Sequence, residues 1–129
     1  MFESLEISKM ARAFAAHAGA RLGVIAENVA NADTPGFKAR DLPDFAQVWQ
    51  QESGTQMRAT RPGHLGAAAV ISGNAAPVAR ADGQASPNGN TVSLQLEMLR
   101  AAEVRQDHEM ALAITRNASS LTRAALGLR

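Results

Sequence analysis

Apolar residues recur at spacings of three and four across residues 4–31, at Ile7, Ala11, Phe14, Ala18, Leu22, Ile25 and Val29. That is the one-face pattern of an amphipathic helix. Ile7, Ala18 and Val29 are 11 residues apart, as are Ala11 and Leu22, and Phe14 and Ile25. An 11-residue repeat corresponds to about 3.67 residues per turn, so it predicts a straight or slightly right-handed seam. Glu3, Glu6, Lys9, Arg12, Arg21 and Glu27 lie on the flanks, where water is expected. Gly19 and Gly23 each cost about 1 kcal/mol against alanine in a helix interior. They either admit another backbone at close range or simply weaken the helix.

The pattern halts in Asn28-Val29-Ala30-Asn31-Ala32-Asp33-Thr34-Pro35-Gly36-Phe37-Lys38. Asn31 suits the left-handed conformation that ends many helices. Thr34 precedes a proline and is biased away from helix. Pro35-Gly36 fits the centre of a type II turn, whose second central residue needs positive φ. Asn28, Asn31 and Asp33 are expected to act locally as capping and turn residues.

A second, longer helix is predicted over 93–126, with Leu96, Leu99, Met110, Ile114, Leu121 and Ala125 on one stripe. Leu99, Met110 and Leu121 again step by 11, and Glu103, Gln106 and Asn117 make part of that stripe polar. Glu97 near the start and Arg116 and Arg123 toward the end complement the helix dipole. The rise per residue gives a rod of about 45–50 Å, against about 40 Å for the first helix. Two stripes of matching period and similar length are expected to pair with each other.

Between them, Asp41-Leu42-Pro43-Asp44-Phe45-Ala46-Gln47-Val48-Trp49 suggests a short helix. Asp41 is its expected cap, Pro43 suits a first turn, and Phe45, Val48 and Trp49 form its apolar side. Residues 53–91 hold six glycines and three prolines, too many for one long regular element. Met57-Arg58-Ala59-Thr60 and Ala67-Ala68-Ala69-Val70-Ile71 have the composition of short strands, and 74–90 that of an exposed, mobile loop. The chain thus divides into a first helix (1–31), a turn (32–40), a short helix (41–52), an irregular insert (53–91) and a final helix (92–129). The expected fold is mainly α: two long terminal helices paired as an antiparallel, coiled-coil-like hairpin around a Gly/Pro-rich insert.

The halting segment also carries a likeness. An apolar helix ending in Ala-Glu-Asn-Val-Ala-Asn-Ala-Asp-Thr-Pro-Gly-Phe-Lys (26–38) resembles the signature of flagellar basal-body rod, hook and related axial proteins. Phe37-Lys38-Ala39-Arg40-Asp41-Leu42-Pro43-Asp44-Phe45 is most similar to the proximal rod member of that family. Thr60-Arg61-Pro62-Gly63-His64-Leu65 and Asn90-Thr91-Val92-Ser93-Leu94 resemble it too. The likeness spans roughly 1–66 and 88–128, and residues 67–87 lie outside it. Ser93 stands where an acidic residue is expected, but serine also caps helix N-termini. The resemblance implies a structural subunit of the proximal rod, exported through the flagellar type III apparatus without a cleaved leader and assembled in the periplasm. Implied partners are copies of itself, other rod proteins and the MS-ring/export-gate adaptor at the proximal end.

Composition adds limits. The chain has 129 residues, one domain or less, and its 46% hydrophobic content is rich in alanine, with only 4% aromatics. Alanine buries little area, so thin helix-on-helix seams are expected in place of a large core. Thirteen basic and 12 acidic residues give a net charge of +1, without the basic patch that nucleic acid or an anionic membrane requires. Cysteine is absent, which excludes disulfides and thiolate metal sites. Met1-Phe2-Glu3-Ser4-Leu5-Glu6 is acidic where a cleavable leader is basic, and no stretch is apolar enough to span a membrane.

Chemistry-bearing patterns are few. His17, His64 and His108 share no ligand-like spacing; Asp107-His108-Glu109 reads as a solvated face and His64 as a turn residue. No Gly-x-Ser-x-Gly, phosphate-binding loop or zinc signature occurs. No catalytic, cofactor-binding or metal residue is nominated. Arg58, Arg61 and Arg80 are either solubilising charges or marks of an acidic partner.

On the residues alone, the stripes read most simply as the core of a self-contained hairpin. The resemblance favours a second role, in which Ile7, Ala11, Phe14, Ala18, Leu22, Ile25, Val29, Leu96, Leu99, Met110, Ile114 and Leu121 also form an assembly interface. Asn28, Asn31, Asp33, Thr34, Pro35, Gly36 and Phe37 would then fix where the chain leaves the helix. The rival readings are another rod component of the same family and a soluble helical-hairpin regulatory or binding module.

Overall fold

The structure is a computed structural model that describes residues 2–53, 76–80 and 85–127, with side chains over 6–50, 76–80 and 85–127. Two long helices, α1 (Phe2–Ala30) and α3 (Leu94–Ala125), pack against each other. The end of α1 meets the start of α3, since Asn28 bonds Glu97 while Arg21 feels the charge of Asp107. The pair is therefore an antiparallel hairpin. Its helices are about 44 and 48 Å long at 1.5 Å per residue.

The seam is thin, as an alanine-rich chain requires. Ala11, Ala18 and Ile25 of α1 are buried, and so are Glu97, Val104, Ala111 and Ala118 of α3. Ala18, Ile25 and Val104 form its apolar centre, with Leu22 and Ala101 packed alongside. The buried residues of α3 step by seven, the spacing of a left-handed coiled coil, as do Ala11, Ala18 and Ile25 of α1, although Ala13, His17, Val24 and Asn28 of α1 are buried as well.

The α1 stripe lies largely on this seam. Ala11, Ala18 and Ile25 are buried, Phe14 and Leu22 half-buried, and Ile7 and Val29 exposed toward the two ends. The α3 stripe does not pair with it. Leu96, Leu99, Met110, Ile114 and Leu121 are all exposed, with Leu99 at 57% and Leu121 at 67%. Leu96 and Glu97 are adjacent, hence about 100° apart around the helix, and it is the Glu97 face that turns inward. Small side chains let the two backbones approach, and α3 presents its alanines to α1 and its leucines outward.

The short helix is α2 (Phe45–Ser53), shorter at its start than expected. Asp44 supplies the first carbonyl, accepting from the N–H groups of Gln47 and Val48. Asp41, expected as its cap, lies instead in β1 (Arg40–Asp41). β1 pairs antiparallel with β2 (Val78–Ala79), Arg40 opposite Ala79 and Asp41 opposite Val78. The strands expected at 57–60 and 67–71 lie outside the described residues. Of the loop expected to be exposed and mobile over 74–90, the described residues are mostly exposed, β2 included, but β2 is paired with β1 and Asn90 is 1% exposed.

α2 docks on α1 through aromatic rings. Phe45 lies 5.0 Å from Phe14, 5.7 Å from His17 and 5.7 Å from Trp49, centroid to centroid. Buried His17 donates from Nε2 to the Pro43 carbonyl at 2.9 Å.

Candidate functional site

The hairpin's closed end is a polar joint built from the halting segment, β1, β2 and the start of α3. Its turn follows from the residues. Asn31 donates from its side chain to the Glu27 carbonyl at 2.8 Å, the same carbonyl that accepts its own N–H at 3.1 Å. Thr34-Pro35-Gly36-Phe37 closes with the Phe37 N–H on the Thr34 carbonyl at 3.3 Å, and Gly36 has φ +73°. Positive φ at the residue after proline is the type II geometry. Asp33 is exposed at this turn. Lys38 reaches the Gly89 carbonyl at 3.0 Å, and the Arg40 guanidinium sits over the Phe37 ring, 5.8 Å from its centroid.

Three buried polar side chains tie the joint together. Asn90 donates its amide to the carbonyls of Asn31, Ala32 and Thr34 at 2.9, 2.8 and 2.8 Å. Its own oxygen accepts from the Val92 N–H at 2.7 Å. Asn90 thus caps the end of α1 from 56 to 59 residues away. Asn28, 0% exposed, pairs with the Arg40 peptide as a neighbouring strand would, donating to its carbonyl at 2.7 Å and accepting its N–H at 3.0 Å. Its amide also donates to Glu97 Oε2 at 3.0 Å.

Glu97 is 1% exposed and is the charged centre of the joint. Its Oε1 accepts from Arg80 at 2.6 Å and from Arg100 at 3.1 Å. Two cations and an amide therefore surround one carboxylate, the pairing a buried charge needs. Arg80, read as a solubilising charge or a mark of an acidic partner, finds that acid within its own chain. Glu97, read as a dipole-complementing surface residue, is the most buried charge described.

A second brace holds β1 to α1. Arg21 grips Asp41 with two bonds, Nε to Oδ1 and Nη2 to Oδ2, both 2.8 Å. Burial pushes the Asp41 carboxyl up, but the Arg21 hydrogen bonds and charge and the Leu42 N–H outweigh it and hold it below the usual aspartate range. The hydrogen bonds to Asp41 hold Arg21 correspondingly above its ordinary value, against the opposing effect of burial. At the start of α3, Ser93 occupies the cap position in an extended conformation, but its side chain makes no capping bond. The expected hydroxyl cap is absent, and Glu97 N–H to Ser93 carbonyl at 2.9 Å begins the helix.

Among the described residues, no group of three or more metal-ligating side chains converges. No helix described is long and apolar enough to cross a membrane. The joint is fully engaged in holding its own backbone. Large apolar side chains stand exposed along α3 at Leu96, Leu99, Met110, Ile114 and Leu121.

Comparison with known proteins places this hairpin. The family model described as flagella basal body rod protein matches residues 15–38, the second half of α1 and the turn after it. The chain is similar to the flagellar basal body rod protein FlgB of Agrobacterium fabrum, 33% identical over 113 residues, covering 84% of this chain and 83% of the relative. The FlgB of Salmonella typhimurium is 33% identical over 102 residues, 73% of each chain. That of Escherichia coli is 36% identical over 100 residues, 71% of this chain and 72% of the relative. With its paired terminal helices and signature turn, the chain belongs to the flagellar basal-body rod protein family and is a FlgB-like structural subunit of the basal-body rod.

Proposed function

We propose that this subunit sits at the proximal end of the rod and that the outward stripe of α3 packs against neighbouring rod subunits in a helical, tubular wall. The observation that supports this is the inversion of α3, which turns Ala111 and Ala118 inward and leaves Leu99, Met110 and Leu121 in water. An ordered row of large apolar side chains along a rod-shaped molecule marks an interaction surface. Fully burying such a side chain is worth about 1.5–3 kcal/mol, so finishing the burial of five half-exposed ones contributes about 5 kcal/mol per subunit before ordering costs. Contacts between different patches on successive subunits are heterologous, and such contacts propagate into open helical assemblies. The exposed ends of the α1 stripe, Ile7 and Val29, belong to the same surface in this reading.

The partners are copies of this chain, other rod proteins and, at the proximal end, the MS-ring/export-gate adaptor. The route is export through the flagellar type III apparatus without a cleaved leader. The relatives' common name as flagellar basal body rod proteins supports the placement in the rod. The test is the double variant Leu99→Asp, Met110→Asp in cells lacking the native subunit. Both positions are exposed, so the hairpin keeps its helix content and secretion continues, while rod assembly and motility are lost. A functional rod built from the double variant refutes the reading.

A further inference from the structure

We infer that the buried Asn28–Glu97–Arg80–Arg100 cluster is a register key: it selects one alignment of α1 against α3 from alternatives the seam itself barely distinguishes. Apart from this cluster, the heptad-spaced buried positions are Ala11, Ala18 and Ile25 on α1 and Val104, Ala111 and Ala118 on α3, with Leu22 and Ala101 packed at the centre. Both sets repeat every seven residues, and four of the six positions are alanine. Sliding one helix past the other by one heptad puts alanine opposite alanine again over most of the length. Apolar packing alone therefore specifies the alignment weakly.

Glu97 removes the degeneracy in both directions. Slide α3 one way and Glu97 enters the apolar centre beside Ile25 and Ala18, a buried carboxylate parted from Arg80 and the Asn28 amide and left with Arg100, which moves with it on the same helix. Slide it the other way and Val104 arrives beside Asn28, whose amide then loses its carboxylate acceptor. Either slip leaves a buried polar group short of partners, a penalty that apolar packing in such a seam does not offset. A single polar residue at a seam position is an attested means of fixing register in coiled coils, at a cost in stability. Here the key has parts from four places in the chain: Asn28 on α1, Arg40 on β1, Arg80 beside β2, and Glu97 with Arg100 on α3. Fixing the alignment also fixes where the outward residues of α3 stand relative to Ile7 and Val29 of α1.

The chain has no cysteine, so a spin-label pair can be introduced cleanly. Labels at Lys9→Cys and Glu103→Cys, both exposed, lie obliquely along the hairpin. The probe is the full chain carrying them, with its distance distribution measured by double electron–electron resonance. The unmodified key gives one distance. Replacing the key by apolar residues, Asn28→Leu with Glu97→Leu, removes the buried amide and carboxylate together and keeps the helix content. It adds a second population displaced by up to about 10 Å, the axial length of one heptad. A double variant with the single wild-type distance overturns the proposal. Loss of helical circular dichroism in that variant overturns it as well, because the cluster would then supply stability and not alignment. As a graded check, Glu97→Gln, which retains an acceptor for Asn28, shows less of the second population than Glu97→Leu alone; the reverse order also counts against the key.

Discussion

Replacing Asn90 by alanine should be among the most damaging single changes outside the seam. The side chain is buried, gives its amide to three carbonyls at the end of α1 and accepts one N–H from Val92. Two amide hydrogens serve the three carbonyls, so the loss amounts to two donated bonds and one accepted bond. Each buried partner left unsatisfied costs about 1–3 kcal/mol. Asn31 and Ala32 are only half-buried and Thr34 is exposed, so water recovers part of the deficit. Taking about 1 kcal/mol for each lost bond gives a destabilisation of about 3 kcal/mol. Urea unfolding followed by helical circular dichroism measures it: with a slope of about 1.5 kcal/mol per molar, the midpoint falls by about 2 M. Asn90→Asp sharpens the test. It preserves shape and the acceptor for Val92 but aims a carboxylate at three carbonyl oxygens, so it must be at least as harmful as alanine. If alanine costs less than about 0.5 kcal/mol, or aspartate is as stable as asparagine, the capping argument is wrong.

Two further predictions concern the braces around α1. Asp41→Asn weakens a bidentate, partly buried ion pair and should cost about 1–2 kcal/mol at neutral pH. Because the folded carboxyl is held below its ordinary value of about 3.9, that contribution is fully present above this pH and is lost as pH falls through the lower folded value. Urea titrations of both proteins from pH 7 to pH 2 should therefore show a constant difference that shrinks only in strong acid; one that disappears between pH 7 and 5 contradicts the assignment. Phe45→Ala removes the ring that bridges Phe14, His17 and Trp49, releasing α2 while the hairpin stays helical. Trp49 is the chain's single tryptophan, so its emission should shift to the red at a cost of about 1–2 kcal/mol, and unchanged emission argues against the docking.

Much of the backbone plan was legible from local chemistry. Period and spacing placed two long helices, and Pro35-Gly36 announced the turn that follows the first, because both signals depend only on near neighbours. The α1 face was readable in part for the same reason: Ala11, Ala18 and Ile25 of its apolar stripe are buried, though Ala13, His17, Val24 and Asn28 outside the stripe are buried too. On α3 they do not. Ranking positions by hydrophobicity selected Leu96, Leu99 and Met110, whereas the hairpin buries Glu97, Val104, Ala111 and Ala118. Close helix approach rewards small side chains, and a subunit that binds others has reason to keep its large ones outside.

The joint was hidden by distance. Asn28 meets Glu97 across 69 residues, and Asn90 meets Asn31 across 59. Neither polar residue carries a local sign of burial, and Glu97 even satisfied a simpler account as a helix-dipole charge. Asp41 was similarly assigned to the helix it precedes, when its partner Arg21 lies 20 residues back. The one hint available was Asn28 itself, an amide set in the last turn of an apolar helix.

The outward face of α3 carries the functional account, and a cysteine footprint in the assembled organelle tests it most directly. Met110→Cys and Leu99→Cys, each the only thiol in its chain, should react readily with a maleimide in the isolated subunit. In purified basal bodies the same thiols should be protected by neighbouring subunits. Equal labelling in the two states would show that the stripe stays in water, and the proposed packing of the rod would fail.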